Sequence, residues 1–472
     1  MDIVHFETLG CKLNQIETES LAHAFTEAGF TVALGRETAG DTDDVEPGPL
    51  TFRPVETPEL CVVNTCTVTG KAEQKARRLI RLLLRKHPNT PVLVTGCYAE
   101  VEAEAIEAID PRVCVFPGTR KGELVNLPDW LASRRAVHPE EPLRSALAAF
   151  IGTASLATDN GVSSTPSTFA LSTDDFLFHS RASIKIEDGC NNRCSYCRIR
   201  LARGKAVSLE SGEVVDRIRK IEEAGWGEVV LTGVNLSQYR SGDGDFADLL
   251  ERILRETDRI AVRISSLYPE RIDDAILPSL ANGRIRPHFH LSVQSGSDRI
   301  LSLMRRPYDA QTVYRAAERL RSVKDDPFLA CDIITGFPGE TDEDFALTLK
   351  LCTDIGFAWI HAFPFSARPG TEAWNMRPKV PERIAGERVA ILTELAERNH
   401  AAYRARWEGR PIPAIVERGY DGGPATVLTA NYLAARLDAG AATRGFEEPC
   451  NAEALRGKEI FVILTGKQAR PV

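Results

Sequence analysis

The sequence predicts a multidomain α/β fold: an N-terminal parallel α/β domain, a central partial (β/α)6 barrel and a small C-terminal β-barrel. Three observations carry this. β-rich runs alternate with amphipathic helical patterns in two blocks, as parallel sheets with crossover helices require. A stretch rich in Ser, Thr and Ala, without Lys or Arg, separates the blocks and reads as a linker. After Gly409 short β runs are broken by Gly422-Gly423, Gly440 and Gly457, a pattern of small all-β barrels. The expected divisions are 1–145, a linker over 146–180, 181–407 and 408–472.

In the first block, strands are expected at 3–8, 59–63, 91–95 and 113–116, with helices near 15–28, 72–85, 100–109 and 121–133. An acidic, Gly- and Pro-rich segment over 35–58 interrupts them as a surface insertion. The second block has strand patterns at 182–187, 228–232, 260–265, 288–293, 328–334 and 358–363. Six such units suit a partial barrel better than a closed eight-unit one. A charged helix over 382–406 leads to tail strands at 412–417, 425–429 and 459–464.

The chain has 472 residues, 43% hydrophobic and 26% charged, with net charge −8. That is globular composition, and any nucleic-acid contact must come from local basic patches. Neither a signal peptide nor a membrane span is evident, so a cytoplasmic protein without membrane association is expected. In a reducing compartment the 11 cysteines are ligands, catalytic groups or core residues rather than disulfides.

Cys190, Cys194 and Cys197 form a C-x3-C-x2-C run just after the first strand of the second block. Three thiolates leave one iron of a cubane cluster without a protein ligand. An open iron is useful where another molecule binds, as the amine and carboxylate of S-adenosylmethionine do in radical chemistry. The alternative is structural zinc, which needs a fourth ligand; the nearest upstream candidate, His179, lies at the far end of the preceding strand.

Cys11, Cys66 and Cys97 each follow a strand of the first block. At the carboxyl edge of a parallel sheet, loops after successive strands converge, so these three would meet in space. The alternative is three unrelated loop cysteines. Cys61, Cys114 and Cys331 lie in apolar strand patterns and Cys352 on an apolar helix side, as core residues do. Cys450 has no assigned role.

Small polar loops follow other central strands: Gly233 and Asn235, Gln294 and Ser295, and, at the fifth strand, Asp332 and Gly336. Taken singly, each reads as an ordinary turn with a glycine; their sharing of the cysteine loop's edge, where barrel enzymes bind ligands, favours a site. Arg198, Arg200, Arg203, Lys205, Arg305 and Arg306 either receive phosphates or form a solvated basic face.

These residues resemble the radical S-adenosylmethionine methylthiotransferases over nearly the whole chain. The matching motifs are Thr8-Leu9-Gly10-Cys11-Lys12-Leu13-Asn14, Asn64-Thr65-Cys66-Thr67-Val68, Thr95-Gly96-Cys97, the Cys190 run and 332–341. The stretch Gln15-Ile16-Glu17-Thr18-Glu19, with 231–235, is similar to the subfamily acting on N6-threonylcarbamoyladenosine next to the tRNA anticodon. One departure is Arg198-Ile199-Arg200, where many members carry two apolar residues and a proline.

The resemblance implies two 4Fe-4S clusters, one on Cys11, Cys66 and Cys97 and one on Cys190, Cys194 and Cys197. It implies S-adenosylmethionine near Gly233, Asn235, Gln294, Ser295, Asp332 and Gly336, with no catalytic side chain beyond the cluster ligands. One S-adenosylmethionine methylates sulfur at the first cluster; a second gives the 5′-deoxyadenosyl radical that activates adenine C2 for methylthio transfer. The implied partners are the tRNA anticodon stem-loop, an electron donor such as flavodoxin or ferredoxin, and a sulfur source. Alternatives are an isopentenyl-type tRNA adenosine, a ribosomal protein, or an RNA-binding metalloprotein without catalysis. The tail is similar to RNA-binding TRAM barrels; a chain ending after Trp407 is then expected to keep both clusters and lose tRNA affinity.

Overall fold

The computed structural model describes residues 3–35, 57–156, 167–173, 176–177, 179–418, 425–438 and 455–472. Two compact units emerge: residues 1–179 with 188–190 and 198–205, and residues 180–187 with 191–197 and 206–472.

The first unit is built on five parallel strands: β1 (Ile3–Thr8), β2 (Thr31–Leu34), β3 (Leu60–Thr65), β4 (Val92–Gly96) and β5 (Val113–Val115). Their order is β2-β1-β3-β4-β5. Every residue of β3 and β4 is buried, which accounts for their near-continuous apolar sequence. Phe6, Phe25 and Leu93 pack on one side, and Leu79, Ile80, Leu83 and Val94 on the other. Edge strand β2 escaped the sequence reading because it is four residues long and only partly buried. The order reverses between β1 and β3, so the carboxyl ends of those strands open a crevice.

Helices α1 (Lys12–Glu27) and α3 (Cys97–Val101) start beside this crevice, while α2 (Gly70–Lys86) begins four residues beyond Cys66. Thr69 caps α2 by accepting from Ala72 N–H at 3.1 Å.

The expected linker is partly something else. Residues from 146 onward continue a helix, Leu143–Leu156, whose Ala146, Leu147 and Phe150 enter the sheet's core. The Phe150 ring lies 5.4 Å from that of Trp130. Phe169, Leu171 and Phe176 are buried as well, so part of the expected linker belongs to the core. Residues 157–166, most of the 35–58 insertion and Cys450 fall outside the described residues.

The second unit contains six parallel strands: β6 (Ala182–Lys185), β7 (Glu228–Thr232), β8 (Ala261–Ile264), β9 (His288–Gln294), β10 (Phe328–Thr335) and β11 (Trp359–Pro364). They form two three-stranded sheets, β8-β7-β6 and β9-β10-β11. Leu267 joins the sheets: its N–H donates to His290 O at 2.8 Å, and Ser292 N–H donates to Leu267 O at 3.0 Å. This is the expected partial (β/α)6 arrangement.

Helix Glu382–Trp407 leads to a closed five-stranded barrel of β12 (Pro411–Glu417), β13 (Thr426–Thr429), β14 (Ala434–Leu437), β15 (Glu459–Thr465) and β16 (Gln468–Pro471). The two strands absent from the sequence reading, β14 and β16, are each four residues long.

This barrel shares its core with the central sheet, where Phe328, Ala330 and Tyr403 pack with Ile412, Val416 and Val427. His288 stacks on Tyr432 at 3.8 Å. The contacts involve the first residues of β9 and β10, so the barrel caps the amino ends of the strands. Among the described residues, no helix is long and apolar enough to cross a membrane.

Candidate metal centres

In the first unit, Cys11 caps the start of α1, Cys66 follows β3 and Cys97 opens α3. Gly10 and Gly96 sit at φ 113° and 95°, in the left-handed region that side chains avoid. A Cβ on Gly10 would meet Cys66 Cβ at 2.5 Å and Sγ at 2.9 Å; one on Gly96 would strike Asn64 Oδ1 and Thr65 O. The loops therefore approach each other as closely as backbone permits.

Side-chain amides lock them together. Asn14 Nδ2 donates to Leu9 O at 2.8 Å and Thr65 O at 3.0 Å. Asn64 Nδ2 donates to Asn14 O at 3.0 Å, and Thr65 Oγ1 donates to Thr95 O at 2.6 Å.

The three thiols feel one another. Burial, together with the Cys11 and Cys97 thiols, pushes the Cys66 thiol up to about 12. Cys11 is itself exposed; the protein crowded around its sulfur raises that thiol too, against the pull of Arg203. A metal centre that takes the thiolates removes this penalty, so the donor set fits such a group.

One buried cation faces the set. Arg203, the last residue of helix Ile199–Arg203, has Nε 3.1 Å from Cys97 Sγ. Its Nη1 donates to Glu17 at 3.1 Å and to Asp188 at 2.9 and 3.0 Å, and Nη2 donates to Asn14 Oδ1 at 2.7 Å. Lys121 Nζ holds the other Glu17 oxygen at 2.6 Å. Burial disfavours the charge, but Asp188, Cys97 and Glu17 outweigh it and hold the guanidinium protonated.

Arg198 is buried too, pairing with Glu73 at 3.2 Å and Glu102 at 2.8 Å. The sequence departure at this position is thus an internal ion pair. Neither arginine is placed to receive a phosphate.

The 190–197 loop is anchored at both ends. Within the first unit, Cys190 N–H donates to Gly204 O at 3.2 Å. Within the second, Asn191 N–H donates to Gln238 Oε1 at 2.8 Å, and Ser195 Oγ donates to Leu303 O at 2.7 Å. Cys197 N–H closes a turn onto Cys194 O at 3.2 Å.

Arg306 Nη1 lies 3.4 Å from Cys194 Sγ, with its guanidinium 4.5 Å from the Tyr268 ring and 5.0 Å from that of Tyr308. It too is buried against protein rather than presented to a phosphate. Arg305 is half-exposed and pairs with Glu372 at 2.6 Å. Among the described residues no three His, Cys, Asp or Glu side chains gather around one ion-sized point. A cubane spreads its protein ligands over separate irons.

The other expected positions divide into two groups. Ser295 is fully buried: its hydroxyl lies 3.2 Å from Thr348 Oγ1 and accepts from Ser297 N–H at 3.2 Å. Gly336 N–H donates to Glu340, which pairs with Arg388, so that loop is folded onto helix Glu382–Trp407. Asn235 caps the turn Leu236–Gln238, and its N–H donates to Glu187 Oε2 at 2.7 Å beside Gly233. Asn235, Ser295 and Gly336 are buried in these contacts, and Gly233 is partly open.

Gln294 and Asp332 are partly open. Gln294 ends β9 at φ 71°. Asp332 receives His290 Nε2 at 3.0 Å, and the His290 ring stacks on His361 at 5.1 Å. Burial disfavours the Asp332 carboxylate, but His290 and His361 bring it below the usual range. Sequence reasoning missed His290 and His361; their alternation with buried residues in β9 and β11 was the available signal.

Comparison with known proteins adds to this geometry. Residues 184–352 match the Radical SAM superfamily and 48–118 the Uncharacterized protein family UPF0004. The chain is 50% identical over 470 residues to Threonylcarbamoyladenosine tRNA methylthiotransferase MtaB of Treponema pallidum (strain Nichols), covering 91% of this chain and 93% of that protein. The chain belongs to the tRNA methylthiotransferase family.

A relative with another substrate in its name also matches. tRNA-2-methylthio-N(6)-dimethylallyladenosine synthase of Erythrobacter litoralis (strain HTCC2594) is 30% identical, over 87% of this chain and 86% of that protein. Among solved structures, the radical S-adenosylmethionine methyltransferase TsrM from Kitasatospora setae aligns with TM-score 0.51 at 15% identity. It covers 79% of this chain and 74% of that chain, a likeness of fold.

Proposed function

We propose that this tRNA methylthiotransferase acts on N6-threonylcarbamoyladenosine beside the anticodon, placing a methylthio group on adenine C2. The observation that carries the substrate is the 50% identity, over 91% of this chain, to the Treponema pallidum relative of that name.

Cys190, Cys194 and Cys197 would hold one 4Fe-4S cluster and Cys11, Cys66 and Cys97 the other. When bound, the first cluster with S-adenosylmethionine supplies a carbon-centred radical for an unactivated C–H, and the second holds sulfur.

The chain's own residues do the rest. Gly10 and Gly96 keep the crevice free of side chains. Asn14, Asn64 and Thr65 fix the three loops against one another. Arg306 orients Cys194, and the turn from Cys194 to Cys197 sets their spacing. Asp332, held by His290, and Gln294 are the side chains best placed along β9 and β10 to orient S-adenosylmethionine or the base. A flavodoxin- or ferredoxin-type donor and a sulfur source complete the reaction.

Nucleoside mass spectrometry on tRNA from a deletion strain tests the substrate. Loss of 2-methylthio-N6-threonylcarbamoyladenosine, with its unmethylthiolated parent accumulating, is expected. Loss of the isopentenyl-type product instead would contradict it.

A further inference from the structure

Arg203 stands six residues beyond Cys197 in sequence, yet its side chain belongs to the other cysteine set. Three groups grip the guanidinium: Glu17 and Asn14 from α1, and Asp188. That grip leaves the Nε edge directed at Cys97 Sγ, 3.1 Å away. The side chain is 3% exposed, so water does not compete for the sulfur.

Arg203 and Lys121 oppose Glu17 and Asp188, two cations against two anions. The cluster of charges is balanced, and the arginine's influence on Cys97 is the local hydrogen bond. Donation to a ligating sulfur withdraws electron density and stabilises the reduced form of an iron–sulfur centre.

We propose that Arg203 is a positioning residue for the centre on Cys11, Cys66 and Cys97, donating to the Cys97 sulfur and making that centre easier to reduce. Asn14, Glu17 and Asp188 serve to hold the planar fork in register, a geometry lysine does not reproduce. The proposal rests on the reading that these cysteines hold a cluster.

The test is an EPR-monitored redox titration of the full-length, anaerobically reconstituted protein, with dithionite as reductant. The signal that persists when Cys190, Cys194 and Cys197 are replaced together by Ala belongs to this centre. In Arg203→Gln its midpoint should fall, and in Arg203→Lys it should fall by less. An unchanged midpoint in an Arg203→Gln protein with wild-type iron content overturns the proposal. Should that variant lose its iron, Arg203→Lys decides: a lowered midpoint supports the proposal, and a wild-type one overturns it. Wild-type protein with no such second signal overturns the cluster reading itself, together with the inference built on it.

Discussion

Glu228 and Arg263 form a fully buried two-pronged ion pair, with Arg263 Nε and Nη2 at 2.7 and 2.9 Å from the two carboxylate oxygens. Arg286 Nε adds a third bond at 2.8 Å and reaches Glu459 of β15, while Arg263 Nη2 donates to Thr429 O at 3.2 Å. The pair therefore ties the central strands to the C-terminal barrel. Burial alone would raise the Glu228 carboxyl, but Arg263 and Arg286 bring it down to about 2. Because the folded value is lowered, the stabilisation is present above the ordinary value of 4.5 and fades as pH falls toward 2. It corresponds to roughly 3 kcal/mol. Melting curves from pH 6 to pH 3 should show wild type converging on Glu228→Gln, which starts less stable at neutral pH. Parallel curves would contradict this.

Removing residues 408–472 should destabilise the remainder, contrary to a separable tail. Phe328 and Tyr403 would lose the apolar partners Ile412, Val416 and Val427. The chain ending after Trp407 is expected to aggregate or melt well below the full-length protein, by circular dichroism and gel filtration. Melting at the full-length temperature would refute the shared core.

Cys61→Ala, Cys114→Ala and Cys331→Ala should each keep full iron content. All three thiols are buried, and burial pushes Cys61 up to about 12, as for a packed, unreactive group. Each substitution should cost roughly 1–2 kcal/mol through a small cavity. Iron loss in any of them would overturn the ligand assignment.

Arg436, Lys467 and Arg470 are exposed on β14, the turn before β16, and β16. Replacing all three by Ala should weaken tRNA binding and flatten its salt dependence. S-adenosylmethionine cleavage without tRNA should not change. Filter binding at two salt concentrations measures the effect, and wild-type affinity would exclude this face.

The long strands were legible because each is several apolar residues long, and the meeting of Cys11, Cys66 and Cys97 because each follows one. The four-residue strands β2, β14 and β16 carry too little pattern. Arg198, Arg203 and Arg306 resemble a solvated basic run in sequence, since their partners lie far away: Glu17 is 186 residues from Arg203, and Cys194 is 112 from Arg306. Ser295 and Gly336 stand in small polar loops, and their packing against helices Asp342–Ile355 and Glu382–Trp407 leaves no local pattern. Such burial is a property of tertiary contacts, which local sequence does not encode.

The two-centre account is tested most directly by iron analysis with EPR on reconstituted triple variants. Wild type should hold about eight irons. Cys11, Cys66 and Cys97 replaced together by Ala should leave about four, with the EPR signal that S-adenosylmethionine perturbs. Cys190, Cys194 and Cys197 replaced together should leave about four with the signal it does not perturb. Loss of all iron, or of none, from either triple variant would contradict two independent clusters.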